Sequence, residues 1–136
     1  MVRYQSALRM LATFGRTLRR CTFDTMDVFD VLARCEDIDG HGIYADPPFP
    51  GVGRRYLHNA GQTDAAERDW HTRLRDALLR FTKTRVVCRF YADHPLIVEL
   101  YPESSWQWNR LSGRKQTNSD AHEVLLVRNG APDQLF

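Results

Sequence analysis

The sequence is short of cysteine and has no long apolar run, and each shortage excludes a class of protein. Cys21, Cys35 and Cys88 are odd in number and far apart, which suits neither a disulfide framework nor a C-x-x-C pair. They read as reduced intracellular thiols. No stretch approaches the roughly 18 uninterrupted apolar residues that a membrane-spanning helix requires. The opening MVRYQSALRMLATFGRTLRR keeps inserting arginine where a secretory leader needs an unbroken apolar core, so a cytoplasmic location is expected. His41, His58, His71, His94 and His122 are scattered, with neither an H-x-x-x-H pair nor a Cys/His cluster, so no metal is expected. Eight glycines and six prolines are too few for a collagenous or low-complexity chain.

What remains is the composition of a globular protein. With 136 residues, 43% apolar and 26% charged, the chain suits one domain, residues 1–136, around a single core. A net charge of +2 is too mild to indicate a nucleic-acid partner by itself. Its distribution is uneven. Arg3, Arg9, Arg16, Arg19 and Arg20 stand in the first twenty residues without an acid, whereas Asp24, Asp27, Asp30, Glu36, Asp37 and Asp39 face only Arg34 in the next twenty. Such a basic segment is either a solvated helix face or a phosphate-contacting one.

Periodicity predicts alternating helices and strands. Leu8, Leu11, Phe14 and Leu18 recur at helical spacing, so residues 5–20 are predicted to form an amphipathic helix. CTFDTM (21–26) is predicted as a short strand, and VFDVLARC (28–35) as a helix capped by Asp27. GIYADPPF (42–49) is an apolar strand that must stop at Pro47-Pro48, and residues 50–63 form a long loop. A helix then starts from Asp64 as N-cap, with Glu67 three residues later and an apolar stripe of Ala66, Trp70, Leu74, Leu78 and Phe81. RVVCRFY (85–91) is a buried strand, Asp93 caps a helix HPLIVELY, and WQWNRL (106–111) with EVLLVRN (123–129) form an antiparallel pair around an exposed loop. This order predicts an α/β fold: a mostly parallel sheet covered on both faces and ending in an antiparallel hairpin, with any site at the carboxyl ends of the strands. Trp106 and Trp108, two apart, share a face and read as packing.

The sharpest local feature is Asp46-Pro47-Pro48-Phe49. Two prolines fix two φ angles and remove two N–H donors directly after a strand, which leaves a stiff, acceptor-rich turn beside an aromatic plate. A planar group bearing an NH2 suits that corner, because the carboxylate and carbonyls can take its hydrogens while the ring of Phe49 stacks on it.

In these residues the sequence resembles the S-adenosylmethionine-dependent adenine-N6 DNA methyltransferases, whose catalytic motif is D-P-P-Y/F. The segments IYADPPFPGVGRRY, RVVCRFYADHPLIVELYP and WNRLSGRKQTNSDAHEVLLVRN are similar to the catalytic half of the phage and bacterial DNA adenine methylase type, over roughly residues 20–130. The resemblance implies a partial Rossmann-like methyltransferase sheet, S-adenosylmethionine as cofactor, and double-stranded DNA as partner, in the setting of DNA methylation and restriction-modification. It implies that the Asp46 carboxylate and the Pro47 carbonyl accept the two amino hydrogens, that Pro48 holds the turn, and that Phe49 stacks on an adenine flipped out of the duplex. Asp27 occupies the position of an acidic residue that borders the adenosyl group in that family, with Asp46 on the same side of the site; Asp27 is equally well explained as a helix cap. Arg54, Arg55 and Tyr56 after the motif, and Arg114, Lys115, Gln116 and Asn118 between the last strands, are candidates for DNA contact or for plain solvated loops.

The chain departs from that family in one respect: the F-x-G-x-G turn that holds the methionine end of the cofactor is absent. Phe14-Gly15-Arg16-Thr17 lacks the second glycine, and Gly51-Val52-Gly53 follows the catalytic turn in the wrong context. The expectation is therefore the catalytic portion of such an enzyme, completed by an upstream segment or a separate subunit and inactive without it. A non-catalytic module that binds DNA or a partner is the alternative from another class, and RNA adenine or a protein amide is the alternative substrate.

Overall fold

The computed structural model describes residues 14–52, 63–114 and 120–129. Residues 14–18 are helical, as the periodicity predicts; the rest of the predicted 5–20 helix lies outside the described residues, except for the turn at 19–20. The strand predicted at 21–26 is not formed. Residues 21–27 have no regular structure, because the Asp24 carboxylate accepts from the Thr25 and Met26 N–H groups and so competes with strand pairing.

The elements that follow are α1 (Val28–Arg34), β1 (Gly42–Ala45), α2 (Asp64–Leu79), β2 (Arg85–Tyr91), α3 (Pro95–Leu100), β3 (Gln107–Arg114) and β4 (Asp120–Arg128). Asp27 caps α1 as predicted, its side chain accepting from the Phe29 N–H at 2.8 Å. The α1 helix is fastened to α2 by Phe29 edge-on to Trp70, by the Arg73 guanidinium 4.3 Å over the Phe29 ring, and by Arg80 donating to the Leu32 and Cys35 carbonyls.

Two caps differ from the prediction by one residue. Thr63, not Asp64, caps α2, accepting from the Ala66 N–H at 3.2 Å. The buried stripe shares Leu74 and Leu78 with the predicted one but runs through Glu67 and His71 in the first half of the helix, leaving Ala66 exposed and Trp70 partly exposed. His94, not Asp93, caps α3; its Nδ1 accepts from the Leu96 N–H, and Pro95 takes the first helical position.

The four described strands form one sheet in the order β1-β2-β4-β3. Only β1 and β2 pair in parallel; β2 with β4 and β4 with β3 are antiparallel. The sheet is thus mixed α/β and less parallel in its pairings than the alternation predicts. The cause lies in the last two strands. The predicted antiparallel pair forms, but its ladder continues through residues 112–114 and 120–122, which the sequence predicts as loop. Its more apolar arm, with Val124, Leu126 and Val127 buried, inserts beside β2, and the polar arm carrying Gln107, Asn109 and Arg110 takes the edge. Being reversed twice, β3 runs in the direction of β1 and β2.

Along β2, Val86, Cys88 and Phe90 are fully buried with Leu74 and Leu78 of α2 and Ile97 and Leu100 of α3, each large side chain contributing roughly 1.5–3 kcal/mol. Val87, Arg89 and Tyr91 point to the other face, which stays partly exposed together with Tyr44 among the described residues. The prediction that both faces are covered is not met there. Trp106 packs on Tyr101 at 5.0 Å, and the Trp108 indole N–H donates to the Tyr101 carbonyl at 2.8 Å, so both tryptophans serve packing. No helix among the described residues is long and apolar enough to cross a membrane.

Candidate functional site at the carboxyl end of strand β1

Strand β1 is four residues long and stops where Pro47 and Pro48 remove the N–H groups that would continue the ladder. Its register pairs Ala45 with Cys88, which sets Asp46 beside Arg89. The Asp46 side chain is half exposed, and no donor among the described residues reaches its carboxylate or the Pro47 carbonyl within hydrogen-bonding distance. The nearest cation is the Arg89 guanidinium, 4.0 Å from the Asp46 Oδ2. Arg89 is itself held by Glu123 of β4, whose Oε2 accepts from Nε at 3.0 Å and from Nη2 at 2.6 Å. The hydrogen bond to Glu123, helped by the nearby charge of Asp46, raises the Arg89 pKa and keeps it a fixed positive charge.

Phe49 is half-buried. Its ring meets Tyr91 edge-on at 4.7 Å and Phe90 at 6.1 Å, so the plate is braced from beneath by the end of β2. Pro50 is fully buried, and Gly51 follows at φ +75°, a left-handed conformation that glycine adopts without strain. The Gly51 N–H donates to the Glu67 Oε1 at 2.7 Å. A Cβ at Gly51 would stand 3.9 Å from the His94 Nε2. Beneath this turn His71 is wholly buried, and neither ring nitrogen has a hydrogen-bond partner among the described residues. Burial pushes its pKa down to about 4, the Glu67 carboxylate opposing that shift and His94 adding to it.

The sequence-predicted site residues fare differently. Asp46, Pro47, Pro48 and Phe49 form one corner at the carboxyl end of a strand, as expected. Asp27 is exposed, with one carboxylate oxygen engaged in capping α1. Arg114 ends β3. Arg54, Arg55, Tyr56, Lys115, Gln116 and Asn118 lie outside the described residues. Sequence reasoning missed Arg89, Glu123 and Glu67. A lone arginine at an alternating position of an apolar strand was the available signal for Arg89; Glu67 was disguised as a capping-box residue. Cys21 and Cys35 are exposed free thiols, while Cys88 is buried and its thiol is pushed up to about 12 by desolvation. The described residues contain no group of three His, Cys, Asp or Glu side chains able to hold a metal ion.

Chemically, the corner is an acceptor pair on a rigid frame beside an aromatic ring, with a guanidinium 4.0 Å from the carboxylate. No protein-family model matches this chain, and no curated protein sequence matches it.

Proposed function

We propose that this chain is the catalytic portion of an S-adenosylmethionine-dependent methyltransferase acting on N6 of adenine in DNA. The observation that carries the reading is the Asp46 carboxylate, paired only loosely with Arg89 at 4.0 Å and accepting no hydrogen bond among the described residues, held with the Pro47 carbonyl in a proline-fixed turn at a strand's carboxyl end and flanked by Phe49. The strand directions add support. With β1, β2 and β3 running one way and only β4 reversed, the sheet is compatible with part of a Rossmann-like methyltransferase fold. The outer edge of β1 pairs with no described strand, which leaves room for further strands beside the corner.

Adenine N6 is a weak nucleophile because its lone pair is delocalised into the ring. Asp46 and the Pro47 carbonyl accept the two amino hydrogens and raise electron density on nitrogen, while Phe49 holds the flipped base flat. The bound cofactor would supply an electrophilic methyl group on a sulfonium. Asp46 or solvent would take the amino proton that methyl transfer displaces. Asp46 and Asp27 are the acidic groups assigned to the cofactor's side of the site. The glycine turn for its methionine end is missing from the chain, so that half of the site is assigned to an upstream segment or a separate subunit. The DNA phosphates and base edges are assigned to Arg54, Arg55, Tyr56, Arg114, Lys115, Gln116 and Asn118.

Transfer of tritiated methyl to adenine-containing duplex, with and without a co-expressed upstream segment, tests the reading. Incorporation that Asp46→Ala abolishes is expected, and equal incorporation by the two proteins refutes the role of Asp46. A second reading, a binding module without catalysis, is favoured by one observation: Phe14, Leu18, Phe23 and Val31 are exposed, Phe23 by 75%, as on a surface that docks a partner. It predicts salt-sensitive DNA binding or partner binding with no cofactor affinity in any combination.

A further inference from the structure

We propose that Glu67 is a positioning residue for the Asp46–Phe49 corner, holding it to helix α2 through the Gly51 N–H; the inference rests on the catalytic reading of that corner. Three anchors bracket the turn. Before it, the parallel register fixes Ala45 against Cys88. Under it, Phe49 is braced edge-on against Tyr91. After it, the Gly51 N–H donates to the Glu67 carboxylate at 2.7 Å, the one fixed polar contact of that N–H among the described residues, and Gly51 itself stands in the left-handed region at φ +75°.

The placement of Glu67 is costly by itself. It is 4% exposed, sits on the stripe it shares with His71, Leu74 and Leu78, and its side chain is desolvated where an apolar residue of the same size would pack without penalty. A buried carboxylate persists there with its Oε1 used as an acceptor by the Gly51 N–H. The Gly51 N–H belongs to the turn that immediately follows Phe49-Pro50, and Pro50 is fully buried, so movement at Gly51 is passed to the aromatic plate with little slack. Holding a substrate amine against Asp46 and Pro47 demands that corner and core move as one body, since misplacement by about 1 Å is enough to cost roughly 100-fold in rate.

Two variants of the full chain separate this from a merely structural role. Glu67→Gln keeps an acceptor oxygen and removes the charge; Glu67→Met keeps the volume and removes the acceptor. Amide hydrogen exchange followed by NMR is expected to speed up at Gly51 by roughly tenfold or more in Glu67→Met, and by less than about threefold in Glu67→Gln, with the amides of Val86 and Cys88 unchanged in both. Unchanged exchange at Gly51 in Glu67→Met, or an equal rise at Val86 and Cys88, overturns the proposal. So does a Glu67→Gln protein that loses Gly51 protection as fully as the methionine variant, which is the deciding measurement if Glu67→Met does not fold. In methyl transfer assays completed with the upstream segment, Glu67→Met is expected to lower kcat by about tenfold or more with KM for DNA changed less than about threefold, and Glu67→Gln to restore it. Exchange that behaves as expected with kcat untouched also overturns the positioning role. Absence of methyl transfer by the unmodified protein refutes the catalytic reading instead, and the Gly51 amide still decides whether Glu67 holds the turn.

Discussion

Strand β1 is flanked by two turns that each contain an aspartate, and the two carboxylates do opposite things. At its amino end, Asp37 accepts from the N–H groups of Thr82, Lys83 and Thr84 and from the Thr82 hydroxyl, all within 2.9 Å. Those bonds, the Thr84 N–H foremost, hold the Asp37 carboxyl far below the usual carboxylate range although burial opposes the shift. Thr84 returns the contact, its Oγ1 accepting from the Ile38 N–H at 2.9 Å, and Asn129 donates to the Thr84 carbonyl from the end of β4. At the carboxyl end, Asp46 precedes two prolines and accepts no hydrogen bond among the described residues, with the Arg89 guanidinium 4.0 Å away. One aspartate is fully engaged in joining loops; the other stays half exposed beside Arg89. The lesson is that an acceptor kept unengaged on a fixed frame marks a candidate site more sharply than an acidic residue as such.

Exchanging the two roles by mutation would break this contrast, beginning with the largest effect. Asp46→Asn is expected to lower methyl transfer by roughly 100-fold or more while shifting Tm by no more than about 2 °C, because an exposed ion pair at 4.0 Å contributes little. A Tm loss in Asp46→Asn matching that of Asp37→Asn would erase the distinction. Asp37→Asn is expected to lower Tm at neutral pH, since an amide cannot serve all four donors. The pH dependence carries a definite sign. The folded pKa of Asp37 lies below its ordinary value of 3.8, so its stabilisation is fully present above that value and is lost as pH falls from there through the depressed folded value. Acid unfolding below about pH 4 should flatten in Asp37→Asn, as followed by circular dichroism.

Thr84→Val probes the same joint from the other side and is expected to cost about 1–2 kcal/mol in denaturant unfolding, the Ile38 N–H losing its partner. The histidine beneath the Asp46 corner operates in a neighbouring pH window. His71 stays neutral when folded down to about 4, whereas the unfolded chain takes up the proton near 6.5, so stability declines as pH drops from about 6.5 toward 4. His71→Leu should remove that slope and leave the Asp37 step in place. The smallest effect sharpens the position of Asp27. Asp27→Ser preserves the cap and should change stability by only a few tenths of a kcal/mol, against about 1 kcal/mol for Asp27→Ala. If Asp27 also borders the cofactor, calorimetric binding of S-adenosylmethionine to the completed enzyme weakens in both variants.

Much of this protein is legible in its sequence because local rules decide it. The limits of β2 follow from the composition of RVVCRFY, the Asp27 cap from its place before an apolar helix, and the stop of β1 from Pro47-Pro48, since proline removes a ladder donor in any context. The corner itself is legible for the same reason. Tertiary structure alone decided which strands became neighbours: β4 and β3 exchange centre and edge through a competition for apolar contact that no single segment reveals. It also decided that Thr63 rather than Asp64 caps α2, and that the face carrying Glu67 packs inward, which brings its carboxylate to the Gly51 N–H. Above all it separated Asp37 from Asp46, two similar letters in the sequence, by bringing the donors of a turn 45 residues away to one and, among the described residues, only the Arg89 guanidinium at 4.0 Å to the other.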